Sequence, residues 1–378
     1  MIKTLTFWCP YVGDVGTVKA VIESAKSFSK SSKHKCKIFN SYGEFDKYRH
    51  LLKKNNIEEI KLLSNRLIYK LPKEGFFWSR VNYILIIMFC FFPLLFYLSK
   101  NKKDYLIIYL ITSLPLLLAS LFNLKNKIIF RVSGKIKFTL IRKFIYFISK
   151  KKIKKILIQT SESKNRIIQM KIFDKKNLSI IRDPIIDHKK INKLKKEKIE
   201  NKFLKKKYFV SIGRLTSQKN FLFLIRCIKQ IINEKKNFLF LIIGEGKDRI
   251  KIEEYIKKFG LSKYIILTGY KKNIFKYINH SSGLICTSLW EEPGFVIQEA
   301  AACKKIILAS DCYTGPAEFI NYGKSGYVFK SNNQKSFIKN FEILIKQKKQ
   351  HTKKINESYK NTNLYTKEYF FSDMSRIL

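Results

Sequence analysis

Two carboxylates, Glu291 and Glu299, stand eight positions apart in the segment Trp290-Glu-Glu-Pro-Gly-Phe-Val-Ile-Gln-Glu299. Pro293-Gly294 breaks the chain between them, and Val296 to Cys303 reads as the start of a helix. A turn feeding a helix N-terminus gathers open backbone N–H groups and the positive end of the helix dipole, which suits a phosphate. An ionised carboxylate only accepts hydrogen bonds, so the flanking glutamates suit sugar hydroxyls. A second segment, Gly213-Arg-Leu-Thr-Ser-Gln-Lys219, puts two cations, Arg214 and Lys219, on one loop. Arginine can grip a diphosphate through two hydrogen bonds, and lysine adds a point charge. Arg214 is the more informative of the two, because only eleven of the 76 basic residues are Arg.

These segments need a scaffold that brings distant loops together. Lys3 to Trp8 reads as a strand, the turn carrying Gly13 and Gly16 follows, and Thr17 to Phe28 reads as an amphipathic helix. Strand, glycine turn and helix in that order open a doubly wound α/β domain. Tyr105 to Thr112, Lys127 to Val132 and Lys155 to Thr160 read as further buried strands. The Lys-dense stretch from His188 to Lys206 reads as an interdomain linker or an exposed helix. A second alternation then begins, with strands at Lys207–Ile212, Phe238–Ile243, Ile265–Thr268, Leu284–Thr287 and Lys305–Ala309. At 378 residues the chain exceeds one hydrophobic core. The expected division is residues 1–190, residues 191–350, and a C-terminal helix over 351–378 that crosses back to the first domain. In open α/β sheets ligands bind beyond the carboxyl ends of the strands. That rule gathers Gly213, Arg214, Lys219, Gly244, Gly246, Gly269 and the Glu291–Glu299 segment at one crevice.

The formal net charge of +48 rests on 76 Lys and Arg against 28 Asp and Glu. The chain is rich in Lys, Ile and Asn, which A/T-rich codons supply. With arginine scarce and no helix-turn-helix, zinc-finger or RNA-binding signature, a nucleic-acid partner is not expected. Attraction to an anionic membrane surface is the better use of the charge. Residues 81–99 carry no charge and reach the length of a membrane span, but Pro93 lies inside and a strand follows at once. We read this run as a helix whose outer side dips into the membrane, aided by the apolar stretch Ser113–Leu121, by the lysines at 100, 102 and 103 and by the basic cluster Lys150 to Lys155. The seven cysteines are scattered and never spaced as Cys-x-x-Cys, which predicts a reducing cytoplasm and no zinc site.

Taken in order, these motifs resemble the donor domain of the family 4 retaining glycosyltransferases with the GT-B fold. The resemblance covers Lys207 to Lys330 and includes Ser310-Asp-Cys-Tyr-Thr-Gly-Pro-Ala-Glu318 and Gly323-Lys-Ser-Gly-Tyr-Val-Phe329. The first half matches through the Gly13/Gly16 turn and Arg131-Val-Ser-Gly134. The resemblance implies two Rossmann-like doubly wound domains facing a central cleft. It implies a hexosyltransferase using a UDP- or GDP-linked sugar as co-substrate, with no metal. Arg214 and Lys219 would bind the diphosphate and Glu291 the transferred sugar. Gly294, Phe295 and Val296 would offer backbone N–H groups, Glu299 would hold the ribose, Gly213 would flank the phosphates, and Gly269 to Asn273 would border the base. Gly13, Gly16, Arg131 and Ser133 would lie on the acceptor side, facing a glycan or glycolipid. The chain departs from the family in one respect: none of its five histidines stands where many members place one, and Ser133-Gly134 is nearest to that place. The expected activity is same-face sugar transfer in cell-surface polysaccharide biosynthesis, by a bacterial protein held peripherally on the cytoplasmic side of the inner membrane. Two rivals fit the same residues: another enzyme of this fold, such as a sugar-nucleotide epimerase, and an inactive basic membrane- or nucleic-acid-binding protein.

Overall fold

A computed structural model describes residues 2–11, 16–31, 34–63, 76–110, 112–132, 139–204, 207–233 and 238–378. Two units divide the chain: residues 1–185 together with 367–378, and residues 186–366. The division differs from the expected one at both ends. The 186–204 stretch joins the second unit because Ile191, Ile199 and Phe203 are buried there. The expected single C-terminal helix is two, Lys348–Asn361 and Lys367–Ser375, broken by a short turn at Thr362–Tyr365. Only the second helix returns to the first unit.

The first unit holds seven parallel strands: β1 (Thr4–Trp8), β2 (Lys35–Asn40), β3 (Ile57–Lys61), β4 (Tyr105–Ile108), β5 (Lys127–Arg131), β6 (Ile153–Ile158) and β7 (Leu178–Ile180). Their order is β3-β2-β1-β4-β5-β6-β7. The second unit holds β8 (Tyr208–Ile212), β9 (Leu239–Ile243), β10 (Ile265–Gly269), β11 (Gly283–Cys286), β12 (Ile307–Ser310) and β13 (Tyr327–Phe329), in the order β10-β9-β8-β11-β12-β13. Both are doubly wound, and the strand order reverses between β1 and β4 and again between β8 and β11. β4 and β9 are buried along their whole length, as parallel strands covered on both faces must be.

In the first unit the core joins Trp8, Leu106, Ile108, Ile128 and Phe130 of the sheet to Ile86, Cys90, Leu94 and Leu98 of the Phe76–Lys100 helix. The Ser113–Leu121 and Leu140–Ser149 helices complete it. Helix Gly16–Ser31 packs on the returning Lys367–Ser375 helix, where Phe28 meets Phe370 and Phe371 edge-on at 5.9 and 5.6 Å. In the second unit the Phe221–Asn233 and Gln334–Lys346 helices pack Leu224, Phe337 and Phe341 against Phe209, Phe240 and Ile242.

Candidate functional site

The reversal point between β8 and β11 is where two neighbouring loops diverge and leave room for a ligand. Lys219 comes from the loop after β8, and Glu291 from the loop after β11. They meet there as an ion pair, Lys219 Nζ to Glu291 Oε1, with side chains only 16% and 7% exposed. The two loops are stitched together around the pair. Thr287 Oγ1 donates to the Lys219 carbonyl at 2.9 Å, and Gln218 Nε2 donates to the Trp290 carbonyl at 2.9 Å. The Leu289 N–H reaches the Gln218 carbonyl at 2.8 Å. Ser288 Oγ donates to Glu291 Oε1 at 2.6 Å, and the Thr314 hydroxyl donates to the Glu291 carbonyl. Burial alone would lower the Lys219 pKa, but the Glu291 carboxylate more than offsets this and moves it above the usual lysine value. Lys219 is therefore held charged in a largely buried place.

Lys219, Glu291, Gly294, Val296 and Ile297 line one pocket with Ile212 and Cys286. Gly294 precedes the Phe295–Ala302 helix with φ +87°, a conformation that side chains resist, and no side chain caps that helix. The Ile297 N–H turns back onto the Gly294 carbonyl at 2.9 Å, so the N–H groups that face another acceptor at this end are those of Phe295 and Val296. Phe295 is half-buried beside that turn, and Glu299 is buried further along the same helix; neither lines the pocket. Arg214 is exposed, and its guanidinium has no ion-pair partner among the described residues. The structure thus joins two residues assigned to separate ligand groups, Lys219 and Glu291, and leaves Arg214 as the open cation of the loop.

Three glycines tie the carboxyl ends of β8, β9 and β10 together. The Gly213 N–H reaches the Ile243 carbonyl and the Gly244 N–H the Gly269 carbonyl, both at 3.0 Å. A Cβ on Gly244 would sit 1.9 Å from the Gly213 carbonyl oxygen, so only glycine lets these turns approach. Asn273, beyond Gly269, is tied instead to the Leu194 carbonyl and Glu197, each at 2.8 Å.

The acceptor-side residues fare differently. Gly13 and Ser133 lie outside the described residues. Gly16 is exposed at the first position of its helix. Arg131 is not free to meet an acceptor: it is 2% exposed and its guanidinium forks onto Asp183, with Nη1 also donating to the Val132 carbonyl at 2.8 Å. Its centre lies 5.5 Å from the Tyr109 ring. A buried arginine must be paired, and Asp183, from a segment the sequence did not single out, does this. Ser288 is not among the residues the sequence singles out, and Thr314, inside the Ser310–Glu318 motif, carries no sign there of its bond to Glu291. The Ser288 signal was available, a hydroxyl three positions before Glu291 just past a strand end.

Residues 192–361 match the model of glycosyl transferases group 1. An uncharacterized glycosyltransferase of Methanocaldococcus jannaschii is 34% identical over 169 residues, 44% of this chain and 41% of that protein. The amylovoran biosynthesis glycosyltransferase AmsD of Erwinia amylovora is 28% identical over 269 residues, 68% of this chain and 72% of that one. The crystal structure of a glycosyltransferase from Rickettsia africae superposes with a TM-score of 0.77 at 18% identity, covering 100% of this chain and 97% of that one. Anabaena HepE, solved with UDP and glucose, superposes with a TM-score of 0.72 at 14% identity, covering 100% and 99%. The archaeal relative is matched over less than half its length. Two parallel sheets of seven and six strands with flanking helices are the GT-B glycosyltransferase architecture. The similarity to glycosyl transferases group 1 is carried by residues 192–361, less than half of the chain, and the likeness of fold extends over all of it.

Proposed function

We propose that the protein moves a hexose-type sugar from a UDP- or GDP-linked donor to a lipid-linked glycan acceptor, with retention, in cell-surface polysaccharide biosynthesis. The work would take place at the cytoplasmic face of a bacterial inner membrane. One observation carries the donor side: a buried, charge-held Lys219–Glu291 pair and an open Arg214 at the β8/β11 reversal point, beside an uncapped helix N-terminus. That HepE was solved with UDP and glucose supports the same ligand class here.

The chemistry follows from the charges. The bond between the sugar C1 and the diphosphate oxygen breaks, and negative charge grows on the leaving nucleoside diphosphate. Arg214, Lys219 and the N–H groups of Phe295 and Val296 stabilise that charge where it develops. Cations and a helix end can do here what a divalent metal does elsewhere, so no metal is called for. Glu291 keeps Lys219 protonated and has a second carboxylate oxygen for sugar hydroxyls. Glu299 is assigned to the ribose. The acceptor oxygen bonds to C1 on the face the diphosphate leaves, and its proton passes to the leaving phosphate oxygen. Retention follows without a protein nucleophile. This differs from a retaining hydrolase, whose two carboxylates flank the bond.

Thermal shift with a panel of sugar nucleotides tests the donor reading, since a ligand that binds only the native state stabilises it by mass action. Arg214→Ala and Glu299→Ala should each abolish the shift given by the best donor. Retained binding in both variants would overturn the assignment. Free nucleoside diphosphate should appear only when acceptor is added; its absence under that condition favours an epimerase.

A further inference from the structure

A second surface lies in the first unit, outside the segment that matches the family model. Eleven of the sixteen exposed large apolar side chains among the described residues fall between Ile84 and Phe147. On the Phe76–Lys100 helix, Ile84, Met88, Phe92 and Phe96 recur every four residues at 55–73% exposure. The opposite stripe, Ile86, Cys90, Leu94 and Leu98, is buried in the sheet core. A surface helix of a globular protein turns its polar face to water, whereas this one is apolar on both. The Leu140–Ser149 helix repeats the pattern, with Leu140, Ile141, Phe144 and Phe147 at 57–84% exposure above buried Ile145 and Tyr146. The Ser113–Leu121 helix packs against both and makes the two stripes one surface. Tyr83 and Ser113 share a 2.6 Å hydrogen bond, and Phe91 meets Phe122 edge-on at 6.1 Å.

The charge around this surface is one-sided. Residues 76–161 contain sixteen Lys and Arg and a single acidic residue, Asp104, which is buried. A biased codon supply enriches lysine along the whole chain, but it does not clear acids from one 86-residue stretch when the other 292 residues hold 27 of the 28. Two of the cations stand directly over the apolar rings, Lys100 Nζ at 4.2 Å from Phe96 and Lys150 Nζ at 4.4 Å from Phe147. Aliphatic stems on apolar surface with ammonium groups at the edge are the arrangement of side chains that snorkel to a lipid headgroup layer.

We propose that the exposed faces of the Phe76–Lys100 and Leu140–Ser149 helices dock together, flat, on an anionic bilayer. The Phe76–Lys100 helix then lies in the plane of the membrane and does not cross it. Its length would allow a span, but its buried stripe is part of the sheet core, and a crossing would strip that core from the unit. A nucleic acid would meet the lysines and leave the phenylalanines in water. The inference deepens the lipid-linked-acceptor part of the reading above and can fail separately from the donor site.

Flotation of the full chain with vesicles tests it, comparing vesicles rich in phosphatidylglycerol with vesicles of phosphatidylcholine alone. The wild type should float with the anionic vesicles and be released by high salt or alkaline carbonate. Phe92→Ser/Phe96→Ser and Leu140→Ser/Phe144→Ser should each lower the bound fraction at least tenfold. The thermal shift given by UDP should stay unchanged in both variants, which reports that they fold and that the donor site is separate. Retention in the carbonate-washed pellet would overturn flat docking in favour of a span. Equal flotation with both kinds of vesicle would refute the charge argument. A wild-type dimer that both variants abolish, with no flotation by any form, would assign the face to a second copy of the chain. Loss of the UDP shift in every form, with flotation intact, would sink the donor reading alone.

Discussion

Replacing Glu291 by Gln tests the centre of the donor site. In the native protein the Lys219 side chain is 16% exposed and that of Glu291, its counter-charge, 7%. Removing one partner of a buried pair leaves the other charge unpaid, at about 3–5 kcal/mol. Lys219→Met should cost about as much, because it strands Glu291 with Ser288 as its side-chain donor. The joint variant removes both charges and should cost less than the two added, by about 2–3 kcal/mol. Hydrogen exchange read by mass spectrometry over residues 283–302 reports this locally, which matters in a two-unit chain where global unfolding need not be one step. A loss of about 3 kcal/mol speeds exchange there roughly a hundredfold, at tenfold per 1.4 kcal/mol. The pair raises the Lys219 pKa, so its stabilisation is complete below the usual lysine value of 10.5 and disappears as pH rises through the higher folded value. The difference between wild type and variants should therefore persist from pH 6 to pH 9, a window lying about 1.5 units or more below that value. Single losses that add within about 0.5 kcal/mol would refute the coupling. Unchanged exchange in both single variants would refute the view that the pair holds the two loops together.

Two further outcomes are expected. Gly244→Ala should lower the denaturation midpoint by about 1–3 kcal/mol in free-energy terms and weaken the sugar-nucleotide thermal shift, because the new Cβ meets the Gly213 carbonyl oxygen at 1.9 Å. Glu44 of the first unit, which accepts the Ser41 and Tyr42 N–H groups at 2.9 and 2.8 Å, is pushed by burial from 4.5 up to about 7. Its contribution to stability is therefore greatest below pH 4.5 and declines as pH rises to about 7. Glu44→Gln should flatten that part of the stability-against-pH curve, read from denaturation midpoints, and an unchanged slope would exclude Glu44 as its source.

The interior of each sheet was legible because parallel strands buried on both faces must be apolar throughout. Tyr105–Ile108 and Leu239–Ile243 announce themselves in this way. Two outer strands of the first sheet did not. β2 and β3 read Lys-Cys-Lys-Ile-Phe-Asn and Ile-Glu-Glu-Ile-Lys, because β3 is an edge with polar side chains facing water and β2 lies beside it. At the site, residue types were readable and pairings were not. A lysine 72 positions from a glutamate carries no sign that the two will meet, since strand order decides that. Arg131 misled for the same reason. The resemblance of Arg131-Val-Ser-Gly134 put it on the acceptor side, and the sequence does not display the Asp183 that claims it.

The return of Lys367–Ser375 to the first unit fixes an order of events during synthesis. The 181 residues of the second unit are made between the two parts of the first. At about 5–20 residues per second that is a delay of about 10 to 35 seconds. Throughout it, the side of Phe28 that Phe370 and Phe371 will cover stays open, and Glu23 waits for Lys367, its partner at 2.9 Å. The earliest-made domain is thus the last to be sealed. A chain that stalls anywhere before Lys367 keeps Phe28 and Glu23 of its first domain without these partners.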